Sequence, residues 1–412
     1  MCERYCDLLI GCEPSGVNQV SGAGGTGNGA GTYAARIRLV PADITATIAP
    51  DGKPVTLSTS APGQQGAWTF SGTAGQQVDV AFTGGTFSDA EVDVYGSGGS
   101  RMFNITGCGT SCTLYVTPPT TGSYTIRLVP VGASTGSLRA TASSSVSAAV
   151  AADGKPVTLT TAIPGQIGAW TFTGTANQQV NFAFTNGTFG SAEVDFYGPD
   201  GSYLFRITGC GTSCTAYAIP AVTGAYTVRL FAGASTGSLT ATASSLVTAA
   251  VATDGKPITL TTTIPGKIGA WTFAGTANKQ VNFAFTSGTF ASAEVDFYRP
   301  DGTYMFNVTG CGTSCTAYAV PPTTGTYTIK LFASGLSTGS LTATESPLVT
   351  AVLANDGKPV TLTTTIPAQA GAWTFAGTAG QRVNFSFSNV ATEHSGTRNL
   401  ISTVQTAVTC ST

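Results

Sequence analysis

Asp51-Gly52-Lys53-Pro54-Val55-Thr56-Leu57 is one of four nearly identical heptapeptides in this chain. The same seven residues recur at 153–159 and 356–362, and a version with Ile in place of Val stands at 254–260. The four tryptophans follow the same interval, since each lies in a Gly-Ala-Trp-Thr-Phe segment about one hundred residues after the previous one. A unit of this length can bury a core of its own, unlike the short units of solenoid proteins, which span roughly 20–50 residues. The sequence therefore predicts a tandem array of domains.

The heptapeptide sets the boundaries of the predicted domains. Arg38-Leu39-Val40-Pro41 resembles Arg127-Leu128-Val129-Pro130 near the end of the first full copy, which places the end of a module before the first heptapeptide. The predicted segments are a flexible N-terminal stretch (1–30), a partial module with the last strands (31–50), three full modules (51–152, 153–253 and 254–355), a partial module with the first strands (356–390) and a divergent tail (391–412).

Composition narrows the class of protein. Charged residues make up 9% of the 412 residues, whereas Gly alone accounts for 52, a balance typical of all-β extracellular modules. The formal net charge of −2 gives no basic surface for nucleic acid. No apolar run is long enough to span a bilayer, so membrane insertion is not expected. The first ten residues contain only a short apolar stretch, Leu8-Leu9-Ile10, so no signal peptide is visible.

Period-two alternation predicts strands in every full copy. In the second copy Val180, Phe182 and Phe184 alternate with smaller or polar residues, and the same pattern recurs at Trp170/Phe172. Gly, Pro and Asn clusters punctuate about eight such segments in each copy, and no window has a helical stripe. Eight short strands in about one hundred residues predict an all-β protein of tandem jelly-roll-like β-sandwich modules.

The order of four motifs in each full copy resembles the bacterial pre-peptidase C-terminal domain family. In the second copy these motifs are Trp-Thr-Phe-x-Gly-Thr-Ala from Trp170, Glu-Val-Asp-Phe-Tyr from Glu193, Thr-Gly-x-Tyr-Thr from Thr223 and Gly-Ser-Leu-Thr-Ala-Thr from Gly237. The resemblance implies a β-sandwich accessory module of secreted proteins, often appended to a peptidase, with related modules that bind collagen or polysaccharide. The chain departs from the family in its Cys-Gly-Thr-Ser-Cys segment and in lacking a peptidase domain.

Each full copy carries one Cys-Gly-Thr-Ser-Cys segment, whose two cysteines close a three-residue loop between strands. Facing residues of a hairpin lie within disulfide range, so the pairs Cys108–Cys112, Cys210–Cys214 and Cys311–Cys315 are predicted. Two cysteines and no histidine per copy are too few for a closed zinc site. Disulfides indicate an oxidising, extracellular or cell-surface location. The pairing of the remaining four cysteines is left open; they are Cys2, Cys6, Cys12 and Cys410.

A Glu-x-Asp-x-Tyr motif is the most polar repeated set. Residues two apart on a strand share a face, so two carboxylates and an aromatic ring project together in each copy. Such a face suits calcium or a sugar ring, and it equally suits an ordinary solvated strand face. The candidate residues are Glu91, Asp93 and Tyr95, then Glu193, Asp195 and Tyr197, then Glu294, Asp296 and Tyr298. No cofactor is predicted beyond this calcium possibility.

Catalysis is not expected. The only histidine, His394, lies in the divergent tail, so no His-dependent triad can form within a full copy. A Gly-x-Ser-x-Gly segment around Ser134, repeated in the other copies, lies between two strands rather than at a strand-to-helix turn, which predicts a turn and not a nucleophile elbow.

Three functions remain in competition. The first is a non-catalytic extracellular or cell-surface scaffold for adhesion or spacing. The second is an accessory region of a secreted enzyme that binds a polysaccharide or a matrix protein such as collagen. The third is head-to-tail self-association, in which the partial modules 31–50 and 356–390 of different chains complete each other. Binding requires an exposed patch repeated on one side, whereas spacing requires only stable modules.

Overall fold

The computed structural model describes residues 39–380, 382–386 and 406–409. Within them every regular element is a β-strand, so the protein is all-β there. β-branched and aromatic residues fill these strands, and both suit a pleated, half-buried surface. Several predictions from sequence concern residues outside the described ranges: the pairing of Cys2, Cys6, Cys12 and Cys410, the position of His394, and the parts of the two partial modules at 31–38, 381 and 387–390.

The strands form three groups of nine, which we call repeats 1, 2 and 3. Repeat 1 contains β1 (Ile44–Thr47), β2 (Asp51–Ser58), β3 (Gly66–Gly72), β4 (Val78–Thr83), β5 (Ala90–Tyr95), β6 (Arg101–Ile105), β7 (Cys112–Val116), β8 (Gly122–Pro130) and β9 (Ser137–Ser144). Repeat 2 contains β10 (Val146–Ala149), β11 (Asp153–Thr161), β12 (Gly168–Gly174), β13 (Val180–Thr185), β14 (Glu193–Tyr197), β15 (Tyr203–Thr208), β16 (Cys214–Ala218), β17 (Gly224–Phe231) and β18 (Gly237–Ser245).

Repeat 3 contains β19 (Val247–Ala250), β20 (Ile258–Thr262), β21 (Gly269–Gly275), β22 (Val281–Thr286), β23 (Ala293–Tyr298), β24 (Tyr304–Val308), β25 (Cys315–Ala319), β26 (Gly325–Ala333) and β27 (Gly339–Pro347). Four further strands follow, namely β28 (Val349–Leu353), β29 (Gly371–Phe375), β30 (Arg382–Phe385) and β31 (Thr406–Thr409).

Each repeat has one five-stranded and one four-stranded sheet. In repeat 1 the orders are β1-β3-β8-β5-β6 and β2-β9-β4-β7, and repeats 2 and 3 follow the same orders. β1 runs parallel to β3, with Ile44 opposite Gly66, whereas the other pairs in repeat 1 are antiparallel. This first strand precedes the heptapeptide, so each repeat begins several residues earlier than the boundaries predicted from sequence.

The prediction of tandem jelly-roll-like β-sandwich modules is wrong. Successive strands of a repeat lie in alternate sheets, with one exception in each repeat. In repeat 1 the exception is the pair β5 and β6, and the equivalent pairs are the exceptions in repeats 2 and 3. The chain thus winds in stacked coils between the two sheets of each repeat, which is a β-solenoid path and not that of a jelly roll. A jelly roll instead has two four-stranded antiparallel sheets and no parallel pair such as β1 with β3. Period-two alternation is common to both arrangements, so it does not distinguish them.

The core of each repeat lies between its two sheets. In repeat 1, Trp68 from the five-stranded sheet and Phe82 from the four-stranded sheet are fully buried, with ring centroids 5.4 Å apart. The Trp68 indole Nε1 donates a hydrogen bond to the Val55 carbonyl oxygen of the heptapeptide at 3.1 Å, so its polar edge is satisfied. The two most characteristic motifs of the sequence therefore contact each other.

The chain divides into two compact units. The first comprises Met1–Leu246 with Ile264–Lys267 and contains repeats 1 and 2. The second comprises Val247–Thr263 with Ile268–Thr412 and contains most of repeat 3. Among the residues described, no helix has the length and apolar character needed to cross a membrane.

Candidate functional site

The Glu-x-Asp-x-Tyr motif lies on the five-stranded sheet of every repeat, on β5, β14 and β23. In repeat 1 the intervening Val92 and Val94 are completely buried in the core, so Glu91, Asp93 and Tyr95 point away from it. We call this surface the acidic face of a repeat. It lies between two neighbouring strands, β8 and β6 in repeat 1, whose side chains decide its electrostatics.

In repeat 1 the acidic face is neutralised by arginine. Arg101 Nη2 on β6 lies 2.7 Å from Glu91 Oε1 and 2.6 Å from Asp93 Oδ1. On the other side, Arg127 of β8 stands opposite Asp93, and its guanidinium carbon lies 5.2 Å from the centroid of the Tyr95 ring. Both carboxylates and the ring therefore already have cationic partners from the same sheet.

Repeat 2 keeps this arrangement with looser contacts. Arg206 Nη1 lies 3.6 Å from Glu193 Oε2, and the Tyr197 hydroxyl donates to Asp195 Oδ2 at 3.4 Å. The guanidinium carbon of Arg229 lies 4.7 Å from the centroid of the Tyr197 ring. A cation from the strand next to the motif again covers the tyrosine.

Repeat 3 substitutes a lysine and an asparagine for these arginines. Lys330 Nζ lies 4.8 Å from the centroid of the Tyr298 ring, and the Tyr298 hydroxyl donates to Asp296 Oδ2 at 3.2 Å. Asn307 Nδ2 donates to Glu294 Oε2 at 3.3 Å. All three repeats therefore place a cation over the tyrosine ring, which is arginine in repeats 1 and 2 and lysine in repeat 3.

Burial changes the ionisation of this face. It raises the pKa of Asp195 and of Asp296, and the neighbouring Glu193 and Glu294 carboxylates raise each pKa further. Burial also lowers the pKa of Lys330. These shifts weaken the aspartates as anionic ligands.

Calcium is poorly matched to the acidic face. Calcium takes about six to eight oxygen ligands, whereas each face offers two carboxylates beside a cation or an amide. Asp200 and Asp301, in the following turns, are used locally, because each accepts a backbone and a hydroxyl hydrogen bond from the residue two positions on. In the part of the chain that the structure describes, no cluster of three or more His, Cys, Asp or Glu side chains is arranged to hold a metal ion.

The three predicted disulfides are present in the structure. The Cα atoms lie 5.1 Å apart in Cys108–Cys112, 5.0 Å in Cys210–Cys214 and 4.9 Å in Cys311–Cys315. The geometry differs from the predicted hairpin, because β6 belongs to the five-stranded sheet and β7 to the four-stranded one. Each disulfide therefore closes a loop that crosses from one sheet to the other.

Ser134, in the Gly-x-Ser-x-Gly segment, lies in the turn between β8 and β9. Its hydroxyl oxygen accepts hydrogen bonds from the Ser88 backbone nitrogen at 3.2 Å and from the Ser88 hydroxyl at 3.1 Å. The serine thus ties two loops of repeat 1 together.

Sequence reasoning missed the junction between repeats 1 and 2. Asp79 on β4 is fully buried, and its Oδ2 accepts a hydrogen bond from the Ile167 backbone nitrogen of repeat 2 at 2.9 Å. Ser145 Oγ donates to the same oxygen at 3.0 Å, and Gln77 Nε2 donates to Oδ1 at 2.6 Å. Burial raises the pKa of Asp79, and these hydrogen bonds oppose the rise. One carboxylate thus links two repeats.

Apolar contacts extend this junction. The Tyr115 and Phe231 rings, from repeats 1 and 2, meet edge-on with centroids 5.3 Å apart. Gly165 has a positive φ of 78°, and an added Cβ would lie 2.8 Å from the Ala81 Cβ, so only glycine allows this approach. The one available signal in the sequence was Asp79 itself, which stands where the other copies have Asn181 and Asn282.

Exposed apolar side chains gather at the edge strands of repeat 3. Tyr304 on β24 is 52% exposed, and Tyr318 on β25 is 65% exposed. An open groove of about 480 Å³ lies between these strands, and Met305, Ala317 and Val320 are among the residues that line it. In repeat 1 the position of Ala317 is filled by Leu114, which is buried in the core, so the larger side chain occupies this space there.

Comparisons with known proteins do not show a family. No family model matches the chain, and no curated protein matches it. The resemblance to the pre-peptidase C-terminal domain family therefore stays a prediction.

Solved structures give only low similarity. A periplasmic inhibitor of g-type lysozyme from Aeromonas hydrophila is 19% identical, with 25% of this chain and 98% of that chain covered and a TM-score of 0.20. The extracellular region of zebrafish Gpr126/Adgrg6 is 8% identical, with 76% and 57% covered and a TM-score of 0.18. The M60 catalytic domain with two CBM51 domains of Clostridium perfringens ZmpB is 9% identical, with 72% and 34% covered and a TM-score of 0.15. These values indicate no function.

Proposed function

We propose that this chain is a non-catalytic spacer or adhesion scaffold outside the cell, in which repeats 1 and 2 are held in fixed positions relative to each other. The observation that carries the proposal is the buried Asp79 carboxylate, which bonds the backbone of the following repeat at Ile167. A flexible string of modules needs no such contact. A spacer does, because its length depends on stiff junctions.

Two further observations support an extracellular scaffold. Disulfides in all three repeats suit an oxidising environment, since the cytosol keeps thiols reduced. The acidic faces have cations or amides from their own sheet as partners, which leaves them poorly suited to acid–base catalysis.

The spacer proposal is tested by the distance between repeats 1 and 2 in the oxidised full chain. Spin labels are attached through p-acetylphenylalanine at Gly98 and Gly190, where an added Cβ meets no atom within 4 Å. Double electron–electron resonance is expected to give one narrow distance distribution. A broad distance distribution in the labelled chain with an unchanged junction would contradict the proposal.

A matched pair of variants assigns this stiffness to the junction. Asp79→Ala removes the acceptor of the Ile167 N–H and is expected to broaden the distribution, because a buried donor then lacks its partner. Asp93→Asn changes a carboxylate of the same repeat that contacts Arg101 instead, so the distribution is expected to stay narrow.

A second candidate function is binding of a polysaccharide or of a matrix protein such as collagen. It is favoured by the exposed ring of Tyr318, which lines the groove of repeat 3. Tyrosine rings of this kind stack on sugars and pack against apolar side chains. The full chain is passed over insoluble polysaccharides and collagen; retention that Tyr318→Ala abolishes supports binding, and lack of retention on every material contradicts it.

A further inference from the structure

Glu345 occupies a core position in repeat 3. It lies on β27 and is 1% exposed, and it follows Leu341 and Ala343 on the face of the strand that is buried in the core. The equivalent residues of repeats 1 and 2 are Ala142 and Ala243, which are both fully buried. Repeat 3 thus places a carboxyl group where the other repeats place a methyl group.

The surroundings of Glu345 do little to satisfy this group. Its Oε2 is buried and has no hydrogen-bond partner within the described residues, and its neighbour on β22 is the fully buried Phe283. An unpaired carboxylate at such a position is strongly disfavoured, whereas the neutral acid is tolerated better.

No cation faces Glu345 from the strands around it. β19, β20, β21, β22, β24 and β25 contain no charged residue. The charged residues of β23 and β26, namely Glu294, Asp296 and Lys330, belong to the acidic face on the outside of the other sheet. Among the described residues, Asp254 is the charged group that acts on Glu345, and its negative charge disfavours ionisation further. Lys256 pairs with Asp254 at 3.0 Å.

The strand beside Glu345 is shortened. In repeat 2, β11 begins at Asp153, which pairs with Ser244. In repeat 3 the corresponding strand, β20, begins only at Ile258, and its ladder with β27 starts with Ile258 opposite Ala343. Residues 254–257 therefore lie outside the ladder next to Glu345, and three of them, Asp254, Lys256 and Pro257, are exposed.

Burial raises the pKa of Glu345 to about 7 from an ordinary value of 4.5, and the Asp254 charge adds to the rise. The folded pKa lies above the unfolded one, so the closed state binds the proton more tightly than an open state with a solvated carboxyl group. The closed state is therefore favoured below about pH 4.5, and this preference is lost progressively as the pH rises to about 7.

We propose that Glu345 is a proton-operated switch of repeat 3. In acid its neutral side chain stays in the core and the start of the repeat is closed. At neutral to alkaline pH the ionised side chain leaves the core past residues 254–257, and the adjoining ends of β20 and β27 open.

The test is hydrogen exchange of the oxidised full chain between pH 5 and pH 8, read by mass spectrometry on peptides covering β20, β22 and β27. Variants are compared with the wild type at each pH, which cancels the intrinsic pH dependence of exchange. The opening constant of the wild type is expected to rise roughly 70-fold over this range relative to Glu345→Ala, a ratio set by the two pKa values.

Two more variants separate ionisation from side-chain size. Glu345→Gln is polar and of similar volume but cannot ionise. Its opening constant is therefore expected not to change with pH, whatever its absolute value. Ala243→Glu introduces the carboxyl group at the equivalent place in repeat 2, where β11 begins at Asp153, and is expected to give less pH-dependent opening there than the wild type shows in repeat 3. The proposal is overturned if the wild type shows no rise relative to Glu345→Ala, or if Glu345→Gln retains the wild-type pH profile.

Discussion

Single residues of the repeated motifs have the same role in each repeat. Trp68, Trp170 and Trp271 are fully buried, and each indole Nε1 donates a hydrogen bond to a backbone carbonyl of the adjoining heptapeptide at 3.0–3.1 Å. Tyr124 and Tyr226 are anchored similarly, since each hydroxyl donates to the carbonyl four residues earlier. These large rings therefore fill the cores with their own polar atoms hydrogen-bonded.

Glycine at position 187 is required by close packing of two loops. An added Cβ would collide with the Gly211 carbonyl oxygen, which is backbone and cannot move aside. We expect Gly187→Ala to lower the free energy of unfolding by at least about 2 kcal/mol, because the loop must shift. Gly190→Ala is the control, since its added Cβ meets nothing within 4 Å. Urea unfolding in which both variants lose equal stability would contradict this account.

At the scale of strands, the disulfide loops join the two sheets at their edges. Cys210 lies fully buried in the core of repeat 2, and Cys214 begins β16. The bond connects the edge strand β15 of one sheet to the edge strand β16 of the other through a short loop. It therefore restrains the side of the repeat where neither sheet has a further strand.

Removing this bond is expected to weaken repeat 2 moderately. Because the closed loop is short, the double variant Cys210→Ala/Cys214→Ala should lower the free energy of unfolding by roughly 2 kcal/mol. The measurement is urea unfolding of the full chain, with Ser213→Ala in the same loop as the control. An unchanged stability in the double variant would show that β15 and β16 are held by packing alone.

At the scale of the whole molecule, the chain forms two compact units, and the first contains two repeats joined by specific contacts. Asp79 provides the polar part of that junction, and Tyr115 with Phe231 provides the aromatic part. Residues more than eighty positions apart in sequence thus determine whether two repeats act as one body.

The aromatic pair is expected to show direct coupling. A double-mutant cycle on Tyr115→Ala and Phe231→Ala should give a coupling free energy of about 0.5–1.5 kcal/mol, the range for edge-on ring pairs. The control cycle pairs Tyr115→Ala with Tyr203→Ala, whose ring contacts Tyr197 instead. Additive effects in both cycles would show that Tyr115 and Phe231 do not couple the repeats.

The acidic face was predicted only in part. Alternation placed Glu193, Asp195 and Tyr197 on one side of a strand, because neighbouring side chains of a strand point to opposite faces. The sequence did not predict that Arg206 and Arg229 stand opposite Asp195, since strand neighbours depend on register. That pairing makes the face self-neutralised and a weaker ligand site than its composition suggests.

The sequence by itself determined the period of the chain, its all-β character, most of the strand segments and the three cysteine pairs within the repeats, because these depend on local pattern and short separations. Tertiary structure alone decided the order of strands in each sheet, and so replaced the jelly-roll prediction with coils that pass between two sheets. It also decided the Asp79 junction and the burial of Glu345. Both depend on contacts between distant residues, which no local alternation of apolar and polar side chains encodes.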